Sequence, residues 1–114
     1  MHEMSLAMGI VDLVTGQAKE AAAQKINLVE LEVGRLAGVM VEALTFCFEA
    51  AARDTPAQGA QLEIVEVEGR ARCLACETVF AADSLVMQCP KCGSYATDIV
   101  QGKELRVLSL IVDE

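Results

Sequence analysis

From Met4 to about Gln24, apolar residues return every three or four positions, at Leu6/Ala7, Ile10/Val11, Val14, Ala18 and Ala21/Ala22. One side of a helix facing a core has this spacing, so a first helix is predicted there, softened near Gly16. The next stretch, INLVELEVG from Ile26 to Gly34, changes period. Val29, Leu31 and Val33 alternate with Glu30 and Glu32, which predicts a strand with one wet face. After a turn between Gly34 and Gly38, helical spacing resumes at Val41, Leu44/Thr45, Phe48 and Ala51/Ala52. A second helix over about Val39 to Ala52 follows, ending before RDTPAQG. QLEIVEVEG (Gln61 to Gly69) and ELRVLSLIVD (Glu104 to Asp113) are rich in branched residues next to glycine and predict two further strands.

This order predicts an α+β fold with two helices on a small three-stranded sheet. The final strand is expected to return to that sheet, because alone it leaves Leu105, Val107, Leu108 and Ile111 without a core. The cysteine-rich segment before it then becomes an insertion. The expected organisation is an α/β domain of residues 1–68 plus 104–114, with a four-cysteine zinc-ribbon-like module over residues 69–103.

Within that module, Cys73-Leu-Ala-Cys76 and Cys89-Pro-Lys-Cys92 are two C-x2-C pairs twelve residues apart. A two-residue spacer lets both thiolates of a pair face one ion, and two pairs complete the tetrahedral sulfur set that zinc prefers. Gly93 permits the tight turn after the second pair and Pro90 stiffens it. A redox dithiol needs only one such pair, and Glu77 and Lys91 make no common electropositive pocket for a reactive thiol. Iron suits the same four sulfurs chemically, and a colourless protein would exclude it. With every coordination position filled by cysteine, the expected role is a structural Zn(II) site. Cys47, between Phe46 and Phe48, reads as an inert, buried thiol.

Composition narrows the classes of function. There is no Trp, one Tyr and three Phe, too few aromatics for a nucleic-acid stacking platform. The formal charge is −8, and four thiolates with one zinc ion would bring it to about −10. The basic residues are scattered, so no polyanion footprint is expected and no nucleic-acid partner. Glu3 and Asp12 interrupt the first apolar stretch, no run reaches the length of a membrane span, and neither a signal peptide nor a membrane partner is expected. Five cysteines then suit a cytoplasmic protein using metal rather than disulfides. No nucleophile–base pair can be assembled, so an enzyme is not expected.

The only histidine is His2. A free terminal amine, the backbone nitrogen of residue 2 and its imidazole close two adjacent chelate rings around one ion, an advantage no internal histidine has. His2 is too bulky for efficient removal of Met1, and Glu3 offers a carboxylate. Nitrogen-rich tetragonal sites suit Ni(II) or Cu(II). The competing reading is a frayed chain end with no function.

Together, MHEMSLA, VELEVGRLAGV followed by EALTFCFE, TPAQGAQLEI, CLAC and CPKC resemble the HypA/HybF family of hydrogenase nickel incorporation proteins along the whole chain. The resemblance implies a nickel metallochaperone for [NiFe] hydrogenase maturation, with some members also serving urease. It implies Ni(II) cargo at His2, supported by Met1 and Glu3, and Zn(II) at Cys73, Cys76, Cys89 and Cys92. It further implies a GTPase accessory protein and the hydrogenase large subunit precursor as partners, and a monomer or weak homodimer. The chain departs from the family pattern before the second helix. The turn reads GVMV where some members carry an acid, Glu42 is the first acid after it, and Val41 replaces a familiar proline. The rival expectation is a zinc-ribbon adaptor without nickel transfer.

Overall fold

The computed structural model describes residues 3–113. In chain order it contains α1 (Glu3–Glu20), β1 (Lys25–Gly34), α2 (Val41–Ala51), β2 (Gln61–Val67), β3 (Arg70–Cys73), β4 (Val79–Ala81), β5 (Thr97–Gln101) and β6 (Leu105–Asp113). The strands form two three-stranded sheets, ordered β2-β1-β6 and β4-β3-β5. The expected α+β class with two helices is borne out, and β6 does return to the sheet of β1 and β2. Strands β3, β4 and β5 were not among the predicted elements. At three to five residues each they are too short to show a period.

The chain divides into two compact units. Unit 1 takes in the chain through Leu31, then Val39–Val65 and the chain from Arg106; unit 2 is Glu32–Gly38 with Glu66–Leu105. In unit 1, α1 buries Ala7, Ile10, Val11, Val14 and Ala18, the stripe its spacing predicts. α2 contributes Leu44 and Phe48, and β1 contributes Ile26, Val29 and Leu31. The two helices pack on one another. Gly16 does not soften α1, which runs unbroken through it: a glycine costs a helix about 1 kcal/mol, and burial of Val14 and Ala18 around it outweighs that. Asn27 Nδ2 donates to Asp113 Oδ1 at 2.7 Å and Ser109 Oγ to Glu30 Oε1 at 3.2 Å. Numbers fall along β6 as they rise along β1, so this pair is antiparallel.

α1 stops short of Gln24 because of its own backbone. Ala22 adopts φ 56°, its N–H donates to the Lys19 carbonyl at 3.0 Å, and Ala23 N–H donates to the Ala18 carbonyl at 2.9 Å. These two bonds make a Schellman cap, with alanine where glycine is usual. α2 begins at Val41, later than the spacing suggests. Met40 takes the N-cap position in extended geometry, with no side-chain cap, and its carbonyl accepts from Leu44 N–H at 2.9 Å.

Unit 2 is built on β3, which pairs antiparallel with β4 and β5. Its buried core is Ala71, Cys73, Phe80, Ala82 and Cys89, with Leu36, Met87 and Ile99 against it. Three stretches of this unit meet at glycines. Gly34 N–H donates to the Glu104 carbonyl and Leu36 N–H to that of Gly102, both at 2.7 Å. A side chain on Gly34 would strike the Gly102 carbonyl, and one on Gly102 would lie 2.7 Å from Gly69 Cα at φ +115°.

Two opposite glycine effects follow. Ala22→Gly should stabilise the protein by about 0.5–1 kcal/mol, since relief of the left-handed strain exceeds the entropy glycine adds to the unfolded chain. Gly102→Ala should destabilise it by at least about 2 kcal/mol through forbidden φ and a backbone clash. Denaturant unfolding checks both, as a raised and a lowered midpoint respectively.

Candidate functional site

The strands of unit 2 deliver two turns built alike. In the first, Glu77 N–H donates to the Cys73 carbonyl at 2.9 Å and Cys73 N–H to the Thr78 carbonyl at 2.9 Å. In the second, Gly93 N–H donates to the Cys89 carbonyl at 2.9 Å and Cys89 N–H to the Ser94 carbonyl at 2.8 Å. The first sulfur of each turn accepts from the backbone of the second cysteine, Cys76 N–H to Cys73 Sγ at 3.4 Å and Cys92 N–H to Cys89 Sγ at 3.5 Å. Glu77 and Gly93 occupy the same left-handed place, at φ 66° and 79°. Glycine is suited to it. Glu77 takes it while its carboxylate pairs with Arg72 at 2.7 Å.

Four sulfurs converge between these knuckles. Cys73 and Cys92 Sγ are 3.5 Å apart, Cys76 and Cys89 Sγ 3.7 Å, and all four lie within 4.8 Å of one another. A disulfide needs about 2.05 Å, so these are separate thiols. Zinc bound tetrahedrally at about 2.3 Å from each sulfur sets them about 3.8 Å apart. The spacing fits that metal. Cys73 and Cys89 are buried, and Cys76 and Cys92 are exposed.

The metal-free charges are poorly matched, which is what a cation corrects. The Thr78 hydroxyl, 3.2 Å from Cys76 Sγ, and the Thr78 backbone hold that thiol down to about 6. Cys89 is lowered, chiefly by the Cys92 backbone N–H. Cys92 is pushed up to about 12: the Ser94 backbone favours its thiolate, but the Cys73 sulfur, desolvation and the other two sulfurs outweigh that. Crowded thiolates resist a shared negative charge, and a dication removes the conflict.

The other expected donors stand elsewhere. Met1 and His2 lie outside the described residues. Glu3 opens α1, and its Oε2 accepts from Met40 N–H at 3.3 Å. Within unit 1, the carboxylate next to His2 in sequence thus meets the segment that starts α2. Met40 carried no signal, because a backbone N–H donor leaves no mark on residue type. Thr78 and Ser94 were missed too, although C-x2-C-x-[ST] occurs twice and was there to find. Among the described residues, no helix is long and apolar enough to cross a membrane.

Fold and site define an α+β protein with a four-cysteine metal module between β2 and β6. The chain belongs to the HypA family: the profile described as "Hydrogenase/urease nickel incorporation, metallochaperone, hypA" matches residues 1–112. Hydrogenase maturation factor HypA of Chlorobium luteolum is 49% identical over 114 residues, covering 100% of this chain and 97% of its own. That of Chlorobaculum tepidum is 50% identical over 113 residues, covering 99% and 100%. A solution structure of a HypA protein superposes with TM-score 0.73 at 31% identity, covering 98% of this chain and 96% of its own. The Ni metallochaperone HypA from Helicobacter pylori gives 0.69 at 30% identity, covering 98% and 97%. The family is one of maturation factors and not of known catalysts.

The sulfur cluster makes metal affinity depend on acid in a stated direction. At pH 7 Cys92 keeps its proton, which the metal must displace. Below about 6 Cys76 gains one as well, so zinc affinity should fall with falling pH, more steeply below about 6 than above. Competition with a chromophoric chelator across this range measures it, and a flat profile would contradict it.

Proposed function

We propose that this chain is a nickel metallochaperone that binds Ni(II) at its amino terminus and takes part in nickel insertion into the [NiFe] hydrogenase large subunit. The observation that carries this reading is the family match over residues 1–112, which takes in the Met-His-Glu start. His2 is the principal ligand, through its imidazole and the neighbouring backbone and terminal nitrogens. Met1 and Glu3 support it. Glu3 follows His2 in sequence, and the bond from Met40 N–H to its Oε2 ties that carboxylate to the segment before α2. An open site of this kind lets ligands exchange, and exchange is how a carrier releases its cargo.

In this reading Cys73, Cys76, Cys89 and Cys92 hold Zn(II), which orders the module and does no chemistry, since no coordination position is left for water. Residues 1–68 with 104–114 form the nickel-binding domain and residues 69–103 the zinc domain. The protein acts in the cytoplasm, without enzymatic activity, as a monomer or weak homodimer. Its partners are the GTPase accessory protein of hydrogenase maturation and the large subunit precursor. Its acidic charge suits partners with basic surfaces.

Calorimetric titration of Ni(II) into the wild type and a His2→Ala variant tests the assignment. The variant should bind at least about tenfold more weakly, a loss of about 1.4 kcal/mol, while keeping its zinc. Equal affinities would overturn the nickel site and return the adaptor reading to first place. An added amino-terminal tag should also weaken binding, because it removes the terminal amine as a donor.

A further inference from the structure

The two cysteines of each knuckle are unequal in a way that coordination alone does not require. Cys73 is 0% exposed and Cys89 2% exposed, whereas Cys76 and Cys92 face solvent. The short sulfur contacts cross between knuckles and join an exposed sulfur to a buried one, Cys76 to Cys89 at 3.7 Å and Cys92 to Cys73 at 3.5 Å. An exposed attacking thiol beside a shielded second thiol is the arrangement of a peroxide-reactive pair. It occurs here twice.

We propose that Cys76 and Cys92 are peroxide-modification sites of the zinc-loaded module, each resolved by the buried cysteine of the opposite knuckle, forming Cys76–Cys89 and Cys73–Cys92 disulfides and releasing zinc. The proposal rests on the assignment of zinc to this cluster. The Cys76 thiolate attacks one oxygen of hydrogen peroxide, an S–O bond forms, the O–O bond breaks and hydroxide leaves. The Cys89 thiolate then attacks the Cys76 sulfur, forming the S–S bond and expelling a second hydroxide. Two thiolates have lost two electrons and the peroxide has gained them. Only two thiolates remain for the metal, which departs as the hydrated dication. A second peroxide joins Cys92 to Cys73, the two sulfurs giving up two electrons and their protons leaving with the peroxide oxygens as water.

The cross-knuckle route starts from sulfurs already in contact. Sulfurs 3.5–3.7 Å apart must draw in to about 2.05 Å. Within the first knuckle the Cys76 N–H donates to Cys73 Sγ at 3.4 Å and the Glu77 N–H to the Cys73 carbonyl at 2.9 Å, so the turn holds its shape through its own backbone donors. Cross-knuckle disulfides keep both turns and clasp them together after the metal has gone. The product re-forms the site on reduction.

The test uses the zinc-loaded full chain, with the wild type alongside a Cys47→Ser variant that removes the fifth thiol. Hydrogen peroxide is added, zinc release is followed with a chromophoric chelator, and unreduced protein is cleaved after Arg72, Glu77 and Lys91 for mass spectrometry. The expected result is release approaching one zinc per chain, with the Cys73–Glu77 fragment linked to both the Cys89 and the Cys92 fragments. Fragmentation should assign the two pairs named above, and dithiothreitol with zinc should restore the site. Disulfides within the knuckles, retention of zinc with Cys76 reduced, or over-oxidation without any disulfide would each overturn the inference alone. A chain isolated without zinc would overturn the zinc assignment and this inference with it.

Discussion

The convergence of four cysteine sulfurs is the constraint on which unit 2 depends. Its buried core is five residues, two of which are themselves cysteines of the cluster. So little apolar burial does not hold a unit of this size together, and small modules of this kind take their folding free energy from a metal. The strands β3, β4 and β5 are correspondingly brief. Each knuckle turn is closed by the same two backbone–backbone bonds and one backbone N–H donated to its first sulfur, so the sulfurs are aimed by main-chain donors rather than by packed side chains.

Unit 1 rests on a different balance. The stripe on α1, Leu44 and Phe48 of α2 and the inner residues of β1 are buried without a charged or polar side chain among them. Burial on this scale explains why α1 tolerates a mid-helix glycine and an alanine in a left-handed cap. It also leaves the start of α1 as an anchored position, with Glu3 tied to the backbone of Met40. In the proposed function this is where the cargo is held. A closed site that shapes the fold and an open one that exchanges metal then divide the work between them.

Conversion of the knuckles by peroxide would bear on the closed site alone. The exposed and buried cysteines alternate across the cluster, and this is a consequence of the two turns facing each other with like geometry. Oxidation would thus act on the module that the metal organises, leaving the apolar core of unit 1 intact.

Much of this was legible in the residues because it depends on period and spacing. Helical steps of three and four, the alternation around Glu30 and Glu32, and the paired C-x2-C spacings are local consequences of backbone geometry. They gave both helices, the strands β1, β2 and β6 and the four cysteines. Other features had no local cause to be read. The end of α1 is set by backbone bonds around Ala22, the meeting of Gly34, Gly69 and Gly102 is set by stretches far apart in sequence, and Met40 meets Glu3 through a group that every residue but proline carries. Which cysteine of each pair is buried was equally hidden, since both members of C-x2-C look alike in sequence. The sequence by itself determined the longer elements and the four-cysteine donor set, because these follow from short-range periodicity and chemistry; tertiary structure alone decided the short strands β3, β4 and β5, which donors meet and which face water, because that depends on how distant segments share space.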